Sequence, residues 1–282
     1  MTVRQALREA SARLAAAGVP NPEIDAAWLM GGVLSLKRLQ VLAHSSRVLT
    51  AKEREDYDRL IARRAQREPL QYILGETDFM GLRLLARPPV LIPRNDTEVL
   101  CEQALLRLRP GQHVLDLCTG SGSIAISLKA HQPGLHVWAG DIAPEALALA
   151  RENTALHKLD VNFALGDLFM PFGDARYDMI CCNPPYIPTK DLDSLQPEVQ
   201  REPRLALDGG GDGLAFYRRL VAEAPLHLLP HGWLLLELGD GQAEAVQAMA
   251  ALDFDAISVY DDAGGLPRTL AAQWKGTHAF TG

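Results

Sequence analysis

A strand, a glycine turn and the start of a helix follow one another in HVLDLCTGSGSIAISL, residues 113–128. The first five residues are mostly apolar, as in a strand that is buried on both faces. Gly120 and Gly122 let a ligand approach the backbone closely, and the helix after them offers free N–H groups in its first turn. This order is typical of a ligand-binding turn at the edge of a parallel sheet.

The chain after residue 95 repeats this alternation of short strands and helices. Strands are predicted at 113–117, 136–141, 162–165, 178–183 and 233–238, and helices near 122–131, 144–157, 213–229 and 241–252. A final pair, 256–260 and 268–273, flanks Gly264 and Gly265 and is expected to close the sheet in antiparallel pairing. The alternation predicts an α/β fold with a doubly wound, mostly parallel sheet.

The first part of the chain has a different pattern. Apolar residues recur at helical spacing, and Thr50 with Glu53 forms a capping box at the start of a helix that runs to about residue 67. Two strands are predicted at 70–74 and 82–86, around Gly75 and Gly81. We therefore expect a helical domain at 1–69, a β-hairpin linker at 70–95 and the α/β domain at 96–282.

Composition excludes several classes of protein. Of the 282 residues, 48% are hydrophobic and 22% charged, which are ordinary globular values. The net charge of −7 argues against an extended nucleic-acid surface, and no apolar run is long enough to span a membrane. The four cysteines and eight histidines have no metal-ligand spacing, and residues 1–10 hold no signal peptide. We expect a cytoplasmic protein with reduced thiols and no metal.

Two ligands remain open for the glycine turn. Asp141 ends the next strand, 19 residues after Gly122 (141 − 122), where a carboxylate can bind two ribose hydroxyls. A dinucleotide fits this spacing. Asp116, however, directs a carboxylate toward the turn, which would repel a pyrophosphate and attract the ammonium and sulfonium groups of S-adenosylmethionine (SAM). The residues favour SAM.

Asp167 ends the third strand of the α/β domain. It can accept a hydrogen bond from an adenine amino group, with Leu168 packed against the ring. By itself a loop carboxylate of this kind is more often a helix cap. Arg94 is similarly ambiguous, because it can line a substrate cleft or form a structural salt bridge.

The most specific motif is Asn-Pro-Pro-Tyr at residues 183–186, directly after a buried strand. The prolines restrict the backbone and remove two N–H donors. The side-chain oxygen of Asn183 and the carbonyl of Pro184 can then accept both hydrogens of an –NH₂ group, while Tyr186 stacks on a flat substrate. An amide nitrogen held in this way has a more available lone pair and can attack a sulfonium methyl group directly.

These motifs resemble the HemK-type protein-glutamine N5-methyltransferases, which modify peptide chain release factors. The resemblance covers nearly the whole chain and includes PLQYILGE (69–76), LIPR (91–94), LDLCTGSG (115–122) and NPPY (183–186). It implies a class I SAM-dependent methyltransferase fold, Rossmann-like with a mostly parallel seven-stranded sheet, joined by a β-hairpin linker to a small N-terminal helical domain that helps to recognise the release factor.

The resemblance also implies residue roles. SAM would be bound by Asp116, Cys118, Thr119, Gly120, Ser121, Gly122, Asp141, Ile142, Asp167, Leu168 and Asn183. The substrate glutamine, in a Gly-Gly-Gln motif, would be bound by Asn183, Pro184, Pro185, Tyr186 and Arg94, with Asn183, Pro184 and Tyr186 catalytic. We expect a monomer whose partner is a release factor, with no direct nucleic-acid or membrane partner.

Three other functions stay open. A related glutamine methyltransferase modifies a large-subunit ribosomal protein. DNA and RNA adenine methyltransferases use the same Asn-Pro-Pro-Tyr chemistry, but the net charge of −7 disfavours them. A non-enzymatic SAM-binding adaptor would need an incomplete site.

Glu237, at the end of a core strand, is expected to form a structural hydrogen bond.

Overall fold

The computed structural model of the protein describes residues 1–276. Contacts within the chain divide it into two units. One unit contains residues 1–76 and 196–201, and the other contains residues 77–195 and those from 202 onward. The three-part division at residues 69 and 95 stays a prediction. No helix in the described part of the chain is long and apolar enough to cross a membrane.

The first unit is helical. Its helices are α1 (Val3–Ala16), α2 (Pro22–Leu34), α3 (Arg38–Ala43), α4 (Ala51–Ala65) and α5 (Leu70–Leu74). Thr50 and Glu53 form the predicted capping box at the start of α4. The core of this unit is a single apolar cluster that includes Leu14, Leu29, Met30, Tyr57 and Ile61.

Charged side chains attach residues 196–201 to this helical unit. Arg64 of α4 lies 2.7 Å from Asp25 of α2 and 2.7 Å from Glu198. Arg67 lies 2.6 Å from the other oxygen of Glu198. The side chain of Arg64 is only 6% exposed, and a buried guanidinium of this kind is stable only when it is fully paired.

The strand predicted at 70–74 is wrong, because these residues form the short helix α5. Pro69 precedes the helix, and Gly75 ends it with φ of +80°, a left-handed conformation that glycine adopts easily. Tyr72 and Ile73 are buried. A segment of five residues, here LQYIL, is too short for a periodicity that distinguishes a strand from one helical turn, so its burial against other helices decided the outcome. The hairpin strands are β1 (Glu76–Phe79) and β2 (Leu82–Leu85).

The second unit is an α/β domain, and the predicted fold class is confirmed. Its strands are β3 (His113–Leu117), β4 (His136–Asp141), β5 (Asn162–Leu165), β6 (Tyr177–Cys182), β7 (Leu228–Glu237), β8 (Phe254–Asp261) and β9 (Pro267–Trp274). Its helices are α6 (Thr97–Arg107), α7 (Ser123–His131), α8 (Pro144–Leu156), α9 (Ala215–His227) and α10 (Ala243–Ala250).

The seven strands β3–β9 form one sheet in the order β5-β4-β3-β6-β7-β9-β8. The first five in this order pair in parallel, whereas β9 pairs antiparallel with both β7 and β8, as predicted. Separate apolar clusters contain alternate residues of the central strands, for example Leu115 in one and Val114 in the other. Both faces of the central strands are therefore covered, which explains why these strands have nearly continuous apolar sequences.

Candidate active site

The candidate site lies where the strand order reverses. β3 has β4 on one side and β6 on the other, and ligands of open α/β sheets bind outside the carboxyl ends of strands at such a point. A cavity of about 400 Å³ lies here, lined by residues at or directly after the carboxyl ends of all three strands, among them Cys118, Asp141 and Asn183. This volume is within the range of small-molecule and cofactor sites.

The predicted site residues fall into two sets. Those that line this cavity are Cys118, Gly120, Asp141, Ile142, Asp167, Leu168, Asn183 and Pro185. Those outside its lining are Arg94, Asp116, Thr119, Ser121, Gly122, Pro184 and Tyr186. Tyr186 instead lines a second cavity, of about 520 Å³, together with Asp240 and Arg268. The roles assigned to all of these residues stay predictions.

The turn after β3 has three residues in the left-handed region. The φ angles are +55° for Cys118, +56° for Gly120 and +84° for Gly122. A Cβ on Gly120 would meet nothing within 4 Å, whereas one on Gly122 would lie 2.9 Å from the side chain of Ile126 and 3.1 Å from that of Ala150. Gly120 therefore leaves space beside the cavity, and Gly122 allows α7 and α8 to pack closely. Cys118 is a non-glycine residue in a strained conformation, a feature common at functional sites.

The side chain of Asp116 stabilises this turn through hydrogen bonds. Its Oδ2 atom accepts a hydrogen bond from the Thr119 hydroxyl (2.5 Å) and one from the N–H of Ala125 (3.1 Å). The side chain is fully buried, and burial raises the pKa of Asp116 to about 7. Its Oδ1 atom is buried without a hydrogen-bond partner among residues 1–276. A buried carboxylate oxygen in this state fits a cation better than another anion.

Asp141 accepts hydrogen bonds from the loop after β3 and from the loop after β4. Its Oδ2 accepts a hydrogen bond from the N–H of Gly120 (2.8 Å), and its Oδ1 accepts one from the N–H of Ala143 (2.9 Å). Burial raises the pKa of this carboxyl, and the backbone N–H groups of Ala143, Gly120 and Ile142 act in the opposite direction. Each oxygen has a further lone pair, so the carboxylate can still accept hydrogen bonds from a ligand in the cavity.

Asp167 forms an ion pair with Arg219 of α9. The guanidinium donates to both carboxylate oxygens, at 3.1 and 2.9 Å, and both residues line the cavity. Leu168 is 5% exposed and has a φ of +45°, which holds its side chain at the cavity wall. The predicted contact of Asp167 with an adenine amino group would therefore have to be made by a carboxylate that is already paired.

Asn183 follows directly on β6 and lines the cavity. Its Nδ2 group donates a hydrogen bond of 3.1 Å to the hydroxyl of Thr97, the first residue of α6. Within the described part of the chain this is the one hydrogen bond of the Asn183 side chain. Its Oδ1 atom is therefore left to accept hydrogen bonds from a ligand.

Glu237, the last residue of β7, lies behind this loop. The Thr97 hydroxyl donates to its Oε2 atom, and the Tyr186 hydroxyl donates to its Oε1 atom at 3.3 Å. Glu237 is fully buried, and burial raises its pKa to about 7. The backbone of Tyr186 is held as well, because its carbonyl accepts a hydrogen bond of 2.8 Å from Gln242.

Arg94 is paired with a carboxylate. Its guanidinium lies 2.6 Å from Glu202, whose side chain is 1% exposed, and Glu202 also accepts a hydrogen bond from the N–H of Ile92. The structure therefore shows the salt-bridge alternative for Arg94. The neighbouring residues Pro203, Leu205 and Ala206 line the cavity, so this pair anchors one of its walls.

Sequence reasoning gave three residues no role in the site. Thr97 and Glu202 were not among the predicted site residues, and Glu237 was expected only to form a structural hydrogen bond. A signal was present, since Glu237 is a charged residue at the end of an apolar strand and such residues are rarely buried without a specific partner. Its partners lie 140 and 51 positions away in the sequence and become evident only in the fold.

Comparison with solved structures supports the fold. A methyltransferase from Pyrococcus furiosus superimposes with a TM-score of 0.55, at 21% identity, over 70% of this chain and 90% of that one. Two family models also match the sequence. The PrmC N-terminal domain matches residues 5–75, and the methyltransferase small domain matches residues 95–214.

Relatives match over almost the full length. A release factor glutamine methyltransferase of Geobacter sulfurreducens is 45% identical over 96% of both chains. One of Moorella thermoacetica is 44% identical over 95% of this chain and 94% of its own. Identity at this level extends across both units. The chain belongs to the release factor glutamine methyltransferase family.

Proposed function

We propose that this protein transfers a methyl group from SAM to the side-chain amide nitrogen (N5) of the glutamine in the Gly-Gly-Gln motif of peptide chain release factors. The observation that carries the proposal is the position of Asn183. Its amide lies on the wall of the same cavity as Cys118, Gly120 and Asp141, so an amide nitrogen bound by Asn183 would lie beside a cofactor bound at the glycine turn.

The residues of the cavity fit SAM. Asp116 lies outside the cavity lining, beside the turn, and its buried, unpaired Oδ1 atom favours a cationic group there, such as the ammonium or sulfonium of SAM, over the pyrophosphate that a dinucleotide would place at the turn. Asp141 has acceptor capacity for the ribose hydroxyls, and Leu168 offers an apolar surface to the adenine ring. When bound, SAM supplies an electrophilic methyl group on a sulfonium sulfur.

Asn183 and Pro184 prepare the amide for attack. The Oδ1 atom of Asn183 and the carbonyl of Pro184 accept the two hydrogens of the substrate –NH₂ group, which makes the nitrogen lone pair more available. The N–C bond forms as the C–S bond breaks, and the nitrogen then loses one proton to solvent. The products are N5-methylglutamine, S-adenosylhomocysteine and a proton.

No side chain has to act as a strong base. Burial raises the pKa of Tyr186 well above its usual value, so its hydroxyl stays protonated at neutral pH and continues to donate to Glu237. Glu237 is occupied by two hydroxyl donors and is not part of the cavity lining. Positioning of the amide and electrostatic stabilisation of the charge that develops on nitrogen therefore carry the rate.

The biological setting is part of the same proposal. We propose that the helical domain, residues 1–69, helps to recognise the release factor, and that the protein acts as a cytoplasmic monomer in translation termination. Four free thiols support a reducing compartment. The net charge of −7 supports a protein substrate over a nucleic acid.

The test is methyl transfer from labelled SAM to a purified release factor, with mass spectrometry to locate the methyl group. We expect one methyl group on the glutamine of the Gly-Gly-Gln motif, and none on a factor in which this glutamine is changed to alanine. Transfer to a large-subunit ribosomal protein or to adenine-containing DNA, but not to the release factor, would contradict the proposed substrate.

A further inference from the structure

We propose that Glu237 is a positioning residue that determines which atom of the Asn183 amide faces the substrate. It acts through the Thr97 hydroxyl at one end of the Asn183–Tyr186 segment, and it holds Tyr186 at the other end. This inference deepens the proposed function and rests on it for the kinetic part of its test. A second measurement below does not depend on the substrate.

The hydroxyl of Thr97 lies between Glu237 and Asn183 and contacts both. A threonine hydroxyl has one hydrogen to donate and two lone pairs to accept with. When Glu237 is ionised its Oε2 atom can only accept, and the Thr97 hydroxyl directs its hydrogen there. Thr97 can therefore act only as an acceptor toward Asn183.

The contact with Thr97 determines the orientation of the Asn183 amide. Because Thr97 can only accept, Asn183 has to offer its –NH₂ group to it, and the contact of 3.1 Å is of this kind. The amide is planar, so its Oδ1 atom is directed away from Thr97. Only this orientation presents an acceptor to the substrate. The reverse orientation would present –NH₂ to –NH₂ and would leave the substrate nitrogen unactivated.

Tyr186 is bound by the same carboxylate as Thr97. Its hydroxyl donates to the second oxygen of Glu237, so one carboxylate holds both ends of the four-residue motif. Both oxygens of Glu237 are thus used by hydroxyl donors, and the residue is fully buried at the end of β7. Thr97 is 2% exposed. Burial strengthens hydrogen bonds and makes an unpaired partner costly, so the orientation is held firmly.

The kinetic test is the substitution Thr97→Val, which keeps the shape of the side chain and removes its hydroxyl. We expect turnover to fall on the order of 10–100-fold, as when a group that orients a site residue is lost. The Kd for SAM should change by less than about threefold, because Thr97 does not line the cofactor cavity. Thr97→Ser keeps the hydroxyl and should restore most of the turnover.

Thr154→Val provides a matched control. Thr154 is also buried, at 6% exposure, but its hydroxyl donates only to the carbonyl of Ala150 within its own helix. Turnover should stay unchanged in this variant. If it falls as far as in Thr97→Val, the loss reflects general destabilisation, and the proposal is overturned.

A double-mutant cycle tests whether Thr97 acts through Asn183. In an Asn183→Ala background, Thr97→Val should cause no further loss of turnover beyond about twofold. Full additivity of the two losses, or wild-type turnover in Thr97→Val alone, would overturn the proposal. In either case wild-type methylation of the release factor would leave the proposed function standing.

A spectroscopic measurement tests the orientation without any substrate. In protein labelled with ¹⁵N at asparagine, the side-chain amide signal of Asn183 is identified as the one lost in Asn183→Ala. We expect this signal to shift in Thr97→Val and to stay in place in Thr97→Ser. An unshifted signal in Thr97→Val would overturn the proposal even if the protein methylated a different substrate.

Discussion

Asp116 and Glu237 are two buried carboxylates that lie behind the two loops of the site, one below the glycine turn and one behind the Asn183–Tyr186 segment. Both are fully buried, and burial raises the pKa of each to about 7. Their partners differ. One oxygen of Asp116 binds a hydroxyl and a backbone N–H while the other has no partner among the described residues. Each oxygen of Glu237 accepts from one side-chain hydroxyl.

This difference shows that one type of group can serve two purposes. A buried carboxylate oxygen without a partner destabilises the folded protein, and a cation that binds nearby removes that cost. A carboxylate whose oxygens are both paired with side chains instead fixes the direction of those side chains. Asp116 is therefore suited to a charged cofactor, and Glu237 is suited to hold neutral groups in one orientation.

The largest effect is expected for Asn183→Ala, which removes the group that Glu237 orients and leaves Asp116 intact. Turnover should fall by roughly 10²–10³-fold, as when one group that stabilises developing charge is deleted. The Kd for SAM should rise much less. Methyl transfer and calorimetric titration with SAM measure the two quantities. Normal turnover in this variant would contradict the mechanism.

The next largest effect is expected for Asp141→Ala, on the Asp116 side of the comparison. Loss of a charged acceptor for the ribose hydroxyls should weaken SAM binding by about 10–100-fold. Asp160→Ala, which removes an exposed carboxylate at another position, is the control. An unchanged Kd for SAM in Asp141→Ala would refute the role of Asp141.

The pH dependence of stability should separate the two carboxylates. The folded-state pKa values of about 7 lie above the ordinary 3.8 of Asp116 and 4.5 of Glu237, so the folded protein retains protons that the unfolded chain releases. The stability of the wild type should therefore fall as pH rises from about 4.5 to 7 and level off above 7.

Neutral variants remove this titration. Relative to the wild type, Asp116→Asn and Glu237→Gln should each gain on the order of 1–3 kcal/mol of unfolding free energy between pH 4.5 and 8. Saturating SAM should reduce the pH-dependent gain of Asp116→Asn and leave that of Glu237→Gln in place. Denaturant titrations across pH measure these gains. Equal responses of both variants to SAM would contradict the distinction between the two carboxylates.

The smallest effect is expected for Cys118→Gly. Glycine adopts a φ of +55° without strain but also gains freedom in the unfolded chain, so stability should change by less than about 1 kcal/mol. The Kd for SAM should stay within a few-fold, since we propose that the turn contacts SAM through its backbone. A large loss of affinity, measured by calorimetry, would show that the Cys118 thiol itself contacts the cofactor.

Most of the fold could be predicted from the sequence. The bounds of β3, β4 and β5 agree with the predicted strands. β3 and β4 are largely buried and their sequences are mostly apolar, whereas β5 is a half-exposed edge strand that Gly166 follows. The error at Leu70–Leu74 arose where a run was too short to show a period. Tertiary contacts, which the sequence pattern does not encode locally, decided that element.

The site divides in the same way. The sequence alone identified the glycine turn, Asp141 and the Asn183–Tyr186 motif, because backbone conformation and local chemistry require particular residues at consecutive positions. Only the tertiary structure paired Arg94 with Glu202 and Asp167 with Arg219, and only it brought Thr97, Asn183 and Glu237 together. These groups lie on different strands and helices, and hydrogen bonds between them depend on distances of about 3 Å that sequence separation does not reveal.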